Sequence, residues 1–384
     1  MSPPPASVPE WIAAGRSEEY LYNAFTALSN RERQRSYSRM MSLKRPVRAL
    51  PQDQNEATNH FSVTIGGSPD NQWANRYSNI MPYNRTRVVI SRQGGCTLDN
   101  DDRAERGRYF NGNWVRELYG GKLWIATQAP LEETSHSFLS AIAQPIMASS
   151  SSAVDLPAGS RIRTVVQLTL NHESGRQKAH SYFPSDMRTM MRVLPEPACD
   201  VPAFRVALLE QKVIKKANCL QSKVSFVPDV ANPGEPIVFT HMLYMAWPDH
   251  GVPEGEDLAS LLEFIRLVDR VNQTPSPGSS NDDPEPPAII NCSAGIGRTG
   301  TFIALSSLLR ALGLMSTSSQ PTVKQIPPVP ASQSPLGPLP KEIQDDPVVK
   351  EIDNLREQRP RMVERIEQAA LIYEILELAF SDKR

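Results

Sequence analysis

Apolar positions recur three and four residues apart in "EWIAAGRSEEYLYNAFTALSNRERQRSYSRM" (10–40), where Leu21, Phe25 and Leu28 share one stripe of a predicted helix. The period repeats in "EDLASLLEFIRLVDRV" (256–271), with Leu258, Leu261, Leu262, Ile265 and Val268 on one face. It appears again in "TFIALSSLLRALGL" after residue 300, and over roughly 347–357 and 361–381. Between these lie short runs rich in β-branched and aromatic residues: "RVVI" (87–90), "KLWIATQAP" (122–130), "RTVVQLTL" (163–170), "FRVALLEQKVI" (204–214) and "IVFTHMLYMAW" (237–247). Residues 50–75 are polar and irregular. Strands and helices alternate through the middle of the chain. That predicts an α/β (α+β) fold, a single domain with a mixed sheet flanked by helices.

Composition marks where that pattern pauses. Many of the 34 prolines fall in a few stretches. We expect a flexible N-terminal tail over 1–19, a domain over 20–382, and inserted linkers at 272–287 and 316–346. Within the second linker, "PPVP" (327–330) reads as plain linker before it reads as a ligand for a proline-binding partner.

Charge and cysteines narrow the classes. Lys+Arg is 41 and Asp+Glu 42, so the net charge of −1 gives no case for nucleic acid as a partner. Cys96, Cys199, Cys219 and Cys292 form no C-x-x-C pair, and the six His have no metal-binding spacing. We expect no metal and no cofactor. The start lacks a basic region followed by an apolar one, and no apolar run approaches ~20 residues, so neither a secretory signal nor a membrane span is expected.

The chemistry gathers at "INCSAGIGRTGTF" (290–302). Cys292 stands between a strand-like run and a glycine-rich turn that opens a helix near Thr299. Backbone N–H groups of Ser293, Ala294, Gly295, Ile296 and Gly297 can form an anion nest at the positive end of that helix. Arg298 can clamp two oxygens of a tetrahedral oxyanion. The same field favours the Cys292 thiolate, poised for in-line attack on phosphorus. The Thr299 hydroxyl can support that sulfur. "WPDHGVP" (247–253) supplies Asp249 on a turn between Pro248 and Gly251, a candidate general acid on a mobile lid. A buried structural cysteine and an ordinary Pro-Asp turn are the alternatives to these two readings.

Together these stretches resemble the cysteine-dependent protein-tyrosine phosphatases of receptor and non-receptor type. The resemblance runs through "NRYSNIMPY" (75–83), "YFNGNWV" (109–115), "WIATQAP" (124–130), "ESGRQKAHSYFP" (173–184) and "LREQRPRMVERIEQ" (355–368), in the family's order. The long Pro/Ser insertions are similar to those of fungal members. The resemblance implies that Tyr77 stacks on a phosphotyrosine ring and sets the depth of the pocket. It also implies that Glu173 braces Arg298, that Lys178 approaches the acid turn at Trp247–Asp249, and that Glu364 or Gln368 positions the hydrolytic water.

Three positions depart from the family pattern. Asn291 stands in place of His before the cysteine, Asn79 in place of a substrate-holding Asp, and Glu364 in place of Gln. The expected activity is hydrolysis of phosphotyrosine in proteins through a cysteinyl-phosphate. A phosphotyrosine-binding pseudophosphatase, a dual-specificity phosphatase and a sulfur-transfer enzyme are the rivals. The expected setting is a monomer in the cytoplasm, with the nucleus as alternative, acting on phosphotyrosine proteins such as a kinase.

Overall fold

The structure is a computed structural model that describes residues 8–44, 52–90, 96–97, 107–144, 146–147, 160–197, 199–274, 283–315 and 334–382. Helices are α1 (Glu10–Gly15), α2 (Glu18–Lys44), α3 (Gln52–His60), α4 (Ser135–Ala143), α5 (Glu256–Gln273), α6 (Gly297–Ala311), α7 (Pro347–Gln358) and α8 (Ile366–Asp382). Strands are β1 (Val89–Ile90), β2 (Cys96–Thr97), β3 (Gly112–Arg116), β4 (Leu123–Gln128), β5 (Ile146–Met147), β6 (Thr164–Gln167), β7 (His172–Glu173) and β8 (Arg176–Gln177). They continue with β9 (Met190–Val193), β10 (Phe204–Ile214), β11 (Cys219–Pro228), β12 (Ile237–Tyr244) and β13 (Ala288–Cys292).

Eight strands form one mixed sheet in the order β3-β4-β13-β6-β12-β11-β10-β9. β13 is parallel to both β4 and β6, and β6 to β12, while the flanking pairs are antiparallel. The strand period of two sorts β13 cleanly. Ala288, Ile290 and Cys292 face the core made with α5, α6, α7 and α8, whereas Ile289 faces the core that includes Phe138 and Leu139 of α4. α6 is buried nearly all round between sheet and helices, its Thr and Ser positions included. Cys292 therefore ends a central strand at the carboxyl edge of the parallel strands, where open α/β sheets place ligands.

Several boundaries differ from the sequence pattern. Residues 10–15 are helical, not part of a flexible tail: Ile12 is fully buried and Trp11 packs edge-on against Tyr373. α3 forms within the polar stretch 50–75, and its composition gives no apolar face from which to foresee it. The first linker is shorter than 272–287. α5 runs to Gln273, and the buried Asn272 donates from Nδ2 to Pro286 O. The second linker ends before 346. Ser334 is buried with its hydroxyl on Glu357, Leu336 packs near Phe61 and Tyr83, and Asp346 caps α7 by accepting from the amides of Val348 and Val349. The motif at 327–330 lies outside the described residues.

The stripe Leu21, Phe25, Leu28 continues along α2 as Arg31, Arg35 and Arg39. Arg31 and Arg35 face α7, while Arg39 donates to the Tyr83 hydroxyl and to Glu32 of its own helix. Arg31 forks onto Asp353 at 2.9 and 3.0 Å and also donates to the carbonyls of Leu336, Gly337 and Pro338. Arg35 joins Asp353 to Glu357. The strap at 334–338 is thus closed by backbone carbonyls, which Pro/Ser-rich composition does not reveal. Among the described residues, no helix is long and apolar enough to cross a membrane.

Candidate active site

The turn after β13 is shaped by its carbonyls. Ala129 N donates to the carbonyls of Cys292 and Ser293 at 2.9 and 3.0 Å. Arg359 donates from Nε to Gly295 O at 2.7 Å and from Nη2 to Ala294 O at 3.1 Å. The amides of Gly300 and Val363 donate to Ile296 O. In a trans peptide the next N–H points away from the carbonyl. Holding the carbonyls of 292–296 outward therefore turns the N–H groups of 293–297 into one hollow, at the positive end of α6. Gly295 is required twice over. Its φ is +70°, and a Cβ there would lie 2.0 Å from Thr127 O.

Arg359 is a residue that motif reading missed as functional. It is fully buried, with Nη1 and Nη2 also bound to the side-chain oxygens of Asn113 and Asn111. Burial lowers its guanidinium to about 10. Its only sequence signal is an arginine three residues after Arg356, in a stretch where arginines are common.

Arg298 lies over the hollow. Its Nη1 and Nη2 meet Glu173 at 2.7 and 2.9 Å, a two-point fork. Nη1 also donates to Leu168 O, and Nη2 to Pro248 O at 2.9 Å. Glu173 in turn accepts from Thr169 Oγ1 and Leu170 N. The arginine thereby docks the turn at 247–251 over the cysteine loop. Trp247 anchors that turn from below, buried and edge-on to Tyr244. Asp249 Oδ1 lies 2.8 Å from Lys178 Nζ, and His250 Nε2 lies 3.6 Å from Oδ2. The Lys178 hydrogen bond holds the Asp249 carboxyl far below the usual carboxylate range, with Ser174 adding to it.

Tyr77 meets the loop from the opposite side. Ser293 Oγ donates to Lys178 O at 3.0 Å, so its single proton is used, and the Tyr77 hydroxyl donates to it at 2.8 Å. Gln128 fixes this segment by donating to Ala74 O and accepting from Arg76 N. Cys292 itself is nearly buried. A concavity of about 680 Å³ borders the acid turn and is lined by Leu170, Glu173, Trp247, Pro248, Asp249 and Asp257. Cys292 does not line it, so this concavity marks the acid turn and Glu173, and the loop geometry marks the cysteine.

The remaining expected residues divide. Gln368 sits against the loop: a Cβ on Gly297 would come within 2.7 Å of its Nε2. Its Oε1 accepts from the amides of Glu364 and Arg365, a back-bond that closes the start of α8. Asn79 and Glu364 line a different groove of about 520 Å³, together with Arg39, Arg356 and Arg361. Thr299 Oγ1 is buried and makes no hydrogen bond, to Cys292 or otherwise, among the described residues. Asn291 is fully buried, and neither of its amide atoms has a partner among the described residues. No group of three or more His, Cys, Asp or Glu among the described residues is placed to hold a metal ion.

The strand β13, the amide-lined turn after it and the docked turn at 247–251 define an α/β protein with a cysteine loop at the carboxyl edge of its parallel strands. The family profile for protein-tyrosine phosphatase matches residues 71–326, and the chain belongs to that family. It is 31% identical over 241 residues to human receptor-type tyrosine-protein phosphatase eta, covering 62% of this chain and 14% of that protein. It is 28% identical over 255 residues to mouse tyrosine-protein phosphatase non-receptor type 9, covering 65% of this chain and 37% of that protein. The chain thus spans well under half the length of these relatives. In fold it is similar to the catalytic domain of human protein tyrosine phosphatase non-receptor type 18, with a TM-score of 0.54 at 23% identity over 83% of this chain and 88% of that one.

Proposed function

We propose that this protein hydrolyses phosphotyrosine in proteins. The observation that carries the reading is Arg298 Nη2 on Pro248 O, because it ties the residue before Asp249 to the arginine that closes the cysteine loop. Cys292 Sγ attacks phosphorus, and the bond from phosphorus to the phenolic oxygen breaks. Asp249 delivers a proton to that oxygen. Arg298 and the amides of Ser293, Ala294, Gly295, Ile296 and Gly297 hold the equatorial oxygens as charge shifts. Water then attacks the cysteinyl-phosphate, Asp249 takes its proton, and the sulfur leaves with the bonding pair. Lys178 keeps Asp249 ionised in the free site, and the incoming phosphoryl charge raises its proton affinity.

Tyr77 is the wall against which the phenol ring stacks. Gln368, with Nε2 toward the loop, is favoured over Glu364 as the residue that orients water. Glu173, Trp247 and Arg359 hold the parts in place. The site is complete within one chain, which supports a monomer. Similarity to a non-receptor relative supports a cytoplasmic signalling role, and family resemblance favours tyrosine-phosphorylated proteins, kinases among them, as substrates.

Phosphate release from phosphotyrosine and phosphoserine peptides tests the reading. Wild type should act on the first only, and Cys292→Ser should release none while still binding the peptide. Asp249→Ala should lose about 10²–10⁴-fold in kcat on a phenyl phosphate, and much less on an ester with an activated leaving group. Normal release from Cys292→Ser would sink the mechanism.

A further inference from the structure

We infer that Arg361 is a positioning residue that keeps the Glu364 carboxylate off the phosphoryl site while the cysteinyl-phosphate is hydrolysed; this rests on the phosphatase reading above. The turn that carries both residues is strained. Arg361 has φ +60° and Val363 φ +55°, values that favour glycine and are costly for a β-branched side chain. The surroundings over-determine it. Arg356 donates to Met362 O at 2.9 Å and to Val363 O at 2.6 Å, and Val363 N donates to Ile296 O of the cysteine loop. Arg356 also reaches Leu28 O on α2, so the turn is tied to the helical layer as well.

On this turn Arg361 Nη2 pairs with Glu364 Oε1. The pair lines the groove shared with Arg39, Arg356, Ser78 and Asn79. Gln368 takes the opposite side, with its Oε1 on the Glu364 and Arg365 amides and its Nε2 against Gly297. The two side chains able to meet the water are thus sorted to opposite sides of one turn. The sorting matters in the second half-reaction. Water forms a bond to phosphorus, the phosphorus–sulfur bond breaks, Cys292 leaves as thiolate, and the proton goes to Asp249. A second carboxylate swung over this centre would repel the phosphoryl oxygens and the leaving thiolate. The paired guanidinium both neutralises Glu364 and holds it in the groove.

The test is rapid mixing with a chromogenic aryl phosphate, which separates the burst of phenol from steady-state turnover. Arg361→Gly suits the backbone conformation, so folding is retained, and a thermal melt checks this. Its burst rate should match wild type. Its steady-state rate should fall about tenfold, equivalent to about 1.4 kcal/mol of added barrier. In a Glu364→Gln background the same substitution should change the steady-state rate by less than about twofold, because nothing charged is left to swing, and Arg361→Lys alone should stay near wild type. Equal slowing in both backgrounds would mean that Arg361 only shapes the turn and would overturn the inference, as would no slowing in either. A wild type that releases no phosphate would overturn the phosphatase reading and this inference together.

Discussion

Lys178 Nζ lies 2.8 Å from Asp249 Oδ1, with both side chains largely shielded from solvent. The ammonium stabilises the ionised carboxylate and holds its pKa well down. An acid must carry its proton at the working pH, so this pairing limits the protonated fraction as pH rises. Replacing Lys178 with Met removes the cation, and the Asp249 pKa moves up. We expect the alkaline limb of the kcat/KM profile to move to higher pH in Lys178→Met. A limb that stays in place would mean that another group controls it.

The second prediction concerns the arginine stripe on α2. Arg31 forks onto the buried Asp353 and fastens three carbonyls of the 336–338 strap. Arg31→Met leaves those carbonyls unbonded and Asp353 with Arg35 alone. Removing one partner of a buried ion pair costs about 3–5 kcal/mol, and the surviving Arg35 bond places the expected loss near the lower end. Urea denaturation measures it. A change below about 0.5 kcal/mol, the scale of a surface substitution, would show that the strap is held by other contacts.

These two sites show what the sequence made legible. The cysteine loop and the acid turn could be read because their chemistry is local: a thiol, two glycines and an arginine within seven residues need no knowledge of the fold. β10, spanning Phe204–Ile214, matches its apolar run end to end. Residues acting across long separations were not legible as parts of the site. Arg359 and Ala129 shape the loop from 64 and up to 164 positions away, and nothing local marks them. Arg31 and Arg35 kept the helical period, but guanidinium groups read as a solvated face until Asp353 and Glu357 are placed opposite. The turn at Arg361 and Val363 falls where the sequence pattern predicts the start of a helix, because positive φ has no signature when glycine is absent.

A third prediction concerns acid stability. His241 is buried on β12, with Nε2 3.1 Å from Gln167 Oε1, and burial pushes its pKa down to about 4. The unfolded chain takes up a proton near pH 6.5, which the folded chain refuses until about pH 4. Between those values the unfolded state binds more protons, so stability falls as pH falls. At about 1.4 kcal/mol per pH unit, the loss across the window is on the order of 3 kcal/mol. His241→Leu removes this group, and its stability should decline less steeply from pH 6.5 to 4 in urea titrations. Parallel declines would assign the acid limb to other groups.

The last prediction turns on Asn291, directly before the proposed nucleophile. Its side chain points to the sheet face opposite Cys292, toward the core with Ile289, and neither amide atom finds a partner among the described residues. In register it lies beside Thr127 on β4 and Gln167 on β6. The Thr127 hydroxyl already bonds Asn111 O, and Gln167 is taken up by Thr169, Asn171 and His241. An unmade hydrogen bond at a buried polar group costs about 1–3 kcal/mol, whereas an apolar group of similar shape carries no such penalty. Valine also suits a central strand better than asparagine. Its extra bulk works the other way, since overpacking costs about 1–3 kcal/mol in a tight core. The orphaned amide has two ends and the added volume is small, so we expect Asn291→Val to raise stability by about 1 kcal/mol. Asn291→Asp should lower it by several kcal/mol, because it buries an unpaired charge at the same point. Chemical denaturation of the two variants decides the matter. If valine destabilises as strongly as aspartate, the Asn291 amide is bonded in solution and anchors the strand that carries Cys292.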